Sequence, residues 1–271
     1  MVHPQIAAFA RLAGENTPPV RTLEGQKTKI SRSMHGFGYD AIHDEIVVTS
    51  PLAQAILIFR GAANGEEPPI RVIQGPHTQM IGGPTGSLDM VSVDPVHNEI
   101  YLPNARSDVL VFDRTANGDA APKRIIKGVR GSSIAVDPMR DLLVIGSGRA
   151  ISIYPRTVSG DAKPLRVISG PKSDPAGGEV QLYPPKGLIV GGCGQATYPF
   201  LAVCAWSIND SGDAPPRWKI PVQELTGYQP AAIALDPVHK EILLVASGRK
   251  VQLAHPPITN TIMTFSWPEI F

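Results

Sequence analysis

One turn recurs five times along this chain of 271 residues. Gly65-Glu66-Glu67-Pro68-Pro69-Ile70-Arg71 returns as Gly118-Asp119-Ala120-Ala121-Pro122-Lys123-Arg124 and as Gly160-Asp161-Ala162-Lys163-Pro164-Leu165-Arg166. Gly212 to Trp218 is a fourth copy with Arg217 one place early. Gly14 to Arg21 is a fifth, one residue longer. A repeated Gly-x-x-x-Pro-x-Arg phrase constrains the architecture more than any local propensity does, because each copy must fold as the same unit.

What flanks the turn is repeated too. An apolar strand ending in an aromatic residue precedes it: Phe9, Phe59, Phe112, Tyr154 and Trp206. Short strands follow it at 20–23, 70–73, 123–126, 165–168 and 217–220. After a loop come small and β-branched runs at 37–40, 91–94, 134–137, 180–183 and 233–236. A tight turn then leads to 46–49, 100–102, 142–145, 188–190 and 242–245. Runs of this length and alternation read as strands. Motif arginines at 21, 71, 124 and 166 are spaced by 50, 53 and 42 residues. Four strands in a period of roughly 40–50 residues predict an all-β, β-propeller fold of four-stranded antiparallel blades.

With the strands of a unit lettered A to D from the inside outward, the chain begins on C and D. It ends its last regular copy on A and B, with four full units between. Five of each strand predict a five-bladed propeller, with six blades as the alternative. The expected organisation is a single domain over 1–271. Its N-terminal strands, 5–24, close the ring with 231–246, which leaves no sheet edge open. Residues 250–271 are an extra C-terminal segment, in which 251–254 resembles a further C strand and 261–267 a poor D strand.

Gly 26 and Pro 27 fit a chain of many turns. Lys+Arg 25 against Asp+Glu 24 gives a net charge of +1, which points away from nucleic acid and from a membrane surface. No apolar run is long enough for a transmembrane helix. Met1 to Leu12 lacks the pattern of a signal peptide, so the chain as it stands reads as cytoplasmic, or as exported if a leader has been removed. Cys193 and Cys204 are the only cysteines. Two cysteines make neither a metal site alone nor a disulfide framework, and they read as two packed or loop thiols within one unit.

The phrases Ser92-Val93-Asp94-Pro95 and Val111-Phe112-Asp113-Arg114-Thr115-Ala116-Asn117-Gly118 resemble repeats of NHL-like bacterial β-propeller proteins, and the resemblance extends over nearly the whole chain. It implies a propeller, often an exported one, and no fixed activity. Typical members have six blades, from which the count of five departs.

In a propeller the D–A and B–C loops share one face, and variable loops on a fixed scaffold are where binding concentrates. On the opposite face, His43, His97 and His239 occupy one repeat position in the A–B turn. The arginines Arg71, Arg124 and Arg166 and the aspartates Asp94, Asp137 and Asp236 are likewise expected to serve the repeat, as partners of loop carbonyls, carboxylates and turn N–H groups. On the D–A and B–C face the repeat is broken. His35, Asp89, Ser132, Gly178 and Ala231 align at one level of the inner strands, with Glu179 one place further. The B–C loops add Asn104, Arg106, Arg149, Arg249 and Lys250. The longest of them, 191–200, carries Cys193 and Tyr198, and long D–A loops span 25–34, 75–88 and 170–178.

Two functions fit these residues. The first is a binding or scaffold protein that takes a small anionic ligand, or a protein partner, on Arg106, Arg149, Arg249 and Tyr198. The second is a metal-dependent lactone or ester hydrolase. In propeller lactonases a divalent cation at the channel mouth polarises a carbonyl and activates water. Asp89, Asn104 and Glu179 would hold one divalent cation such as Ca²⁺, with His35 and Asp89 as catalytic residues and His35 the general base. The family pattern of such ligands is not clearly present. No nucleophile elbow and no phosphate-cradling glycine loop occurs. Aligned aromatic positions for a sugar are also missing.

Overall fold

Apolar residues alternate over four to six positions and are cut off by glycine, proline or aspartate, and these segments fold as short strands. The computed structural model describes residues 4–31, 34, 36–82, 88, 90–129, 131, 133–194, 200–248 and 259–271. Its strands make the five antiparallel blades of a five-bladed β-propeller. Among the described residues no helix is long and apolar enough to cross a membrane. The chain divides into two compact units, Met1–Lys127 and Gly128–Phe271.

The first unit begins with β1 (Gln5–Ala8) and β2 (Arg21–Glu24), which pair with each other as a two-stranded ribbon. Its first blade is the meander β3 (Phe37–Asp40), β4 (Glu45–Ser50), β5 (Ala55–Arg60) and β6 (Arg71–Gln74). Its second is β7 (Ser92–Asp94), β8 (Glu99–Asn104), β9 (Asp108–Asp113) and β10 (Arg124–Lys127). One face of the first blade buries Ile46, Val48, Leu57 and Phe59 with Leu23 of the ribbon. The other buries Val47, Ile56 and Ile58 with Ile100, Leu110 and Phe112 of the second blade. Period-2 side-chain alternation thus supplies two apolar faces per blade.

The second unit opens with the blade β11 (Ser133–Asp137), β12 (Leu142–Ser147), β13 (Ala150–Pro155) and β15 (Arg166–Ser169); the two-residue β14 (Gly160–Asp161) lies within the turn before β15. The next blade is β16 (Pro175–Tyr183), β17 (Leu188–Cys193), β18 (Ala202–Ser207) and β19 (Trp218–Ile220), followed by the one-turn helix α1 (Val222–Thr226). The last is β20 (Pro230–Asp236), β21 (Glu241–Gly248) and β22 (Thr259–Ser266). Its inner face packs Ile233, Ile242 and Leu244, with Trp267 and Ile270, on Leu188, Val190 and Val203.

In the last blade the structure differs from the sequence expectation. The third strand of this sheet is β22, paired along all eight residues of β21, and not an N-terminal strand. The ribbon β1–β2 forms a sheet of its own. The physical reason is proximity and length. The segment 249–258 joins β21 to β22, whereas β1 lies more than two hundred residues away and offers four residues. Loop closure costs roughly 0.6 kcal/mol more for each doubling of the loop. The part of the C-terminal segment read as a poor D strand therefore serves as a third strand. Residues 251–254 lie outside the described residues.

The repeated turn is a clasp between successive blades. In the first unit the Gly65 N–H donates to the Thr22 carbonyl at 2.8 Å, and the Gly65 carbonyl accepts from the Glu24 N–H at 3.0 Å. Gly118 does the same with Val72 and Gln74 at 2.7 and 3.0 Å. In the second unit Gly212 does so with Val167 and Ser169 at 2.7 and 3.0 Å. All three glycines have φ between 62° and 70°, the left-handed region that L side chains enter at a cost. The acid after each glycine caps a short turn that precedes it in the chain, a 3-10 turn at 26–28 and at 76–78 and a plain turn at 171–173. The Glu66 carboxylate accepts from the Gln26 N–H, Asp119 from the His77 N–H, and Asp213 from the Lys172 and Ser173 N–H groups.

The motif arginines meet their expected role. Arg71 donates to Glu45 at 2.7 Å and to the Arg114 carbonyl. Arg124 donates to both oxygens of Glu99 at 2.6 and 2.8 Å. Arg166 donates to the Ile208 carbonyl at 3.1 Å. Burial opposes ionisation of Glu45 and Glu99. Hydrogen bonds from Arg71 and Arg114, and from Arg124 and Tyr101, overcome it and hold both carboxyls below the usual range.

Candidate functional site

The A–B turns use their own polar residues. The Asp40 carboxylate accepts from the Ile42 and His43 N–H groups and bonds the His43 ring at 2.8 Å. Asp94 with His97, and Asp236 with His239, repeat this geometry. In the third copy Arg140 replaces the histidine and donates to Asp137 at 2.9 Å. The left-handed residue each turn needs is Asp44, Asn98, Asp141 or Lys240, with φ between 53° and 58°. The three histidines are therefore turn fasteners, as their repeat position indicates.

At the D–A and B–C end of the first unit, Asn104 is buried at the end of β8. Its side-chain oxygen accepts from the Ile81 N–H at 2.8 Å and its amide donates to the Gln79 carbonyl at 3.2 Å. It pins the chain leaving a 3-10 turn, so its oxygen already has a partner. Arg106 stands two residues on, in the tight turn before β9. It is exposed and makes no hydrogen bond or ion pair among the described residues. A cavity of about 360 Å³ at this end of the first blade is lined by Ala53, Gln54, Gln74, Gly75, Pro76 and Met80.

At the same end of blades in the second unit, Arg149 donates to Asp174 at 2.6 Å, and its side chain is 55 % exposed. Asp174 has φ 41° and its carbonyl accepts from the Gly194 N–H. Five residues on, Glu179 leaves the repeat. It lies on β16 where the β16–β17 register shifts between Pro175 and Val180. The neighbouring inner strand β20 shifts likewise, between Pro230 and Ala232. Bulges of this kind re-aim side chains. Here the Glu179 side chain turns inward and is 8 % exposed as a residue. It accepts hydrogen bonds from the Gln181 amide and the Ile233 N–H, both neutral. Burial pushes its carboxyl up to about 7, and those two bonds only partly oppose the rise. A carboxyl that titrates near neutrality can exchange a proton or receive a cation.

The bulge has a sequence signal. β17 reads Leu-Ile-Val-Gly-Gly-Cys, with Gly191 where the other second strands carry Val48, Leu102, Ile145 and Leu244. A Cβ on Gly191 would lie 2.9 Å from the Glu179 carbonyl oxygen, so the glycine admits the bulged backbone. Nothing comparable announces the hydrogen bonds from Gln181 and Ile233.

The two cysteines correct the expectation of separate thiols. Cys193 on β17 and Cys204 on β18 are joined as a disulfide, with Cα atoms 5.9 Å apart. Cys193 is paired with Ala202 and Cys204 with Gly191, so the bond runs diagonally across the two strands. The small residues opposite each sulfur leave it the space.

His35, Asp89, Ser132, Tyr198, Arg249 and Lys250 lie outside the described residues. Among the described residues no group of three or more His, Cys, Asp or Glu could hold a metal ion.

No protein-family model matches the chain, and no curated protein matches it. Solved structures do. A chain in the crystal structure of the mitotic checkpoint complex is 15 % identical with a TM-score of 0.54, over 83 % of this chain and 63 % of that one. A chain of Kuenenia stuttgartiensis hydrazine synthase is 13 % identical with a TM-score of 0.60, over 95 % and 66 %. The chain thus spans just under two thirds of the length of each. At these identities the likeness is one of fold, that of a β-propeller.

Proposed function

We propose that this protein is a binding propeller that takes an anionic ligand, or an acidic surface of a protein partner, at the D–A and B–C ends of its blades. The observation that carries the reading is Arg106. At the A–B ends the recurrent charges are spent on turns and clasps, while this guanidinium is exposed with no carboxylate against it among the described residues. A guanidinium so placed offers a planar fork to a carboxylate or phosphate. Arg149 contributes less, since Asp174 already neutralises it. The propeller fold suits a binding or scaffold role. One of the similar chains comes from a structure of a protein complex, which fits a protein as partner. The NHL-like phrases fit the same reading, because that resemblance implies architecture without a fixed activity. The test is the melting temperature with added phosphate or citrate, for the natural chain and for Arg106→Ala with Arg149→Ala. The reading requires anion-dependent stabilisation that the double variant loses.

A second reading, a metal-dependent lactone or ester hydrolase, has Glu179 in its favour. A buried carboxyl near pH 7 suits a general base or a cation ligand. Elemental analysis of the purified protein tests it: a bound divalent cation lost in Glu179→Gln supports this reading, and metal-free protein that added cations do not stabilise removes it.

A further inference from the structure

The proposed binding makes no use of the one covalent cross-link in the chain. Cys193 and Cys204 are 2 % and 1 % exposed and pack in one apolar cluster with Val144, Ile151, Ile189 and Trp206. No thiol is left over. The bond crosses from the last residue of β17 to the middle of β18, so it closes the base of the connection between these strands. Glu179 lies on the strand next to this pair, and Gly191, opposite Cys204, is the residue that admits its bulge. The cross-link therefore fastens the part of the second unit where the repeat is most distorted.

We infer that the chain acquires its fold in an oxidising compartment and that Cys193–Cys204 is a redox-sensitive lock on this blade. In forming it, the two thiols lose two protons and two electrons to a disulfide-exchange oxidant, which is reduced to its dithiol. In a reducing cytosol the same exchange runs backward. Exchange needs a thiolate to reach a sulfur. With both sulfurs buried, that happens before the blade closes or when β17 and β18 open locally. The bond is thus made early in folding and is protected afterwards. Its loss acts on the loop-bearing end of the blade rather than on the clasps, which involve no sulfur.

The experiment uses the full chain made in an oxidising and in a reducing host compartment. Each sample is denatured and alkylated without prior reduction, and its intact mass is measured. The expected result is no alkylation in the oxidised sample and two alkyl groups in the reduced one. The reduced sample should melt roughly 5–10 °C lower. Dithiothreitol should cleave the bond much more slowly in native than in denaturing buffer. Cys193→Ala with Cys204→Ala should melt near the reduced chain and ignore dithiothreitol. If that variant does not fold, the alkylation and melting of the natural chain still decide the matter. Two free thiols in protein folded under oxidising conditions would overturn the inference. So would equal melting temperatures with the bond closed and open.

Discussion

The N–H of Gly118 lies 2.7 Å from the carbonyl oxygen of Val72, a residue 46 positions earlier in the preceding blade. This bond explains why one turn recurs through the chain. The glycine supplies a left-handed backbone, the acid after it caps the previous 3-10 turn, and the arginine at its end reaches a buried carboxylate or a carbonyl. The glycine and the acid have partners in the preceding blade, whereas Arg124 bonds Glu99 within its own, so the repeat encodes attachment between and within blades rather than a ligand site.

The clasp can be weakened without touching the core. No atom stands near the missing Cβ of Gly118, so Gly118→Ala is a backbone effect alone, at φ 70°. It should cost about 1 kcal/mol. Asp119→Ala removes the acceptor of the His77 N–H and should cost about 1–2 kcal/mol. Urea unfolding of both variants checks this, with a lower midpoint and an unchanged m-value.

Glu45 receives Arg71 and Arg114 in a largely buried group. Glu45→Gln leaves two guanidinium groups without their carboxylate, and should cost roughly 3–5 kcal/mol, as breaking a buried ion pair does. The carboxyls of Glu45 and Glu99 are both held below their usual value of 4.5. The folded chain therefore binds fewer protons than the unfolded one. Their contribution is complete above about pH 4.5 and is lost as pH falls below it. Equilibrium unfolding between pH 6 and 3 should show this loss, and Glu45→Gln should show a shallower one.

Glu179 has the opposite sign. Its folded carboxyl titrates near 7 against an ordinary 4.5. Between these values the folded chain holds a proton that the unfolded chain has released. Stability should fall as pH rises through that window and level off above it, by at most about 3 kcal/mol. Glu179→Gln keeps the hydrogen-bonding shape without the charge. It should abolish this slope and be more stable than the natural chain at pH 8, as thermal unfolding across pH 5 to 8 would show.

Much of this was legible in the amino-acid order because the repeat imposes it. The turn phrase, the Asp–His pairs and the role of Arg71, Arg124 and Arg166 all recur at fixed offsets, and local chemistry accounts for them. What escaped reading depends on register. β22 alternates Ile262 outward and Phe265 inward like any half-buried strand, and a period of two does not say which neighbour it joins. The Cys193–Cys204 bond depends on a two-residue diagonal offset between β17 and β18, which no spacing of eleven residues reveals. Glu179 stood out as a departure from the repeat. Its inward turn follows from bulges in two adjacent strands, and only the paired glycines of β17 hinted at them.

The central claim is that the exposed Arg106 end of the blades binds an anion, and calorimetric titration of the intact protein with citrate tests it most directly. The account predicts saturable binding that weakens as salt rises from 50 to about 200 mM, since exposed charges are screened, and that disappears in Arg106→Ala while the fold is retained. Titration without heat or saturation, or binding of equal strength in Arg106→Ala, would contradict it.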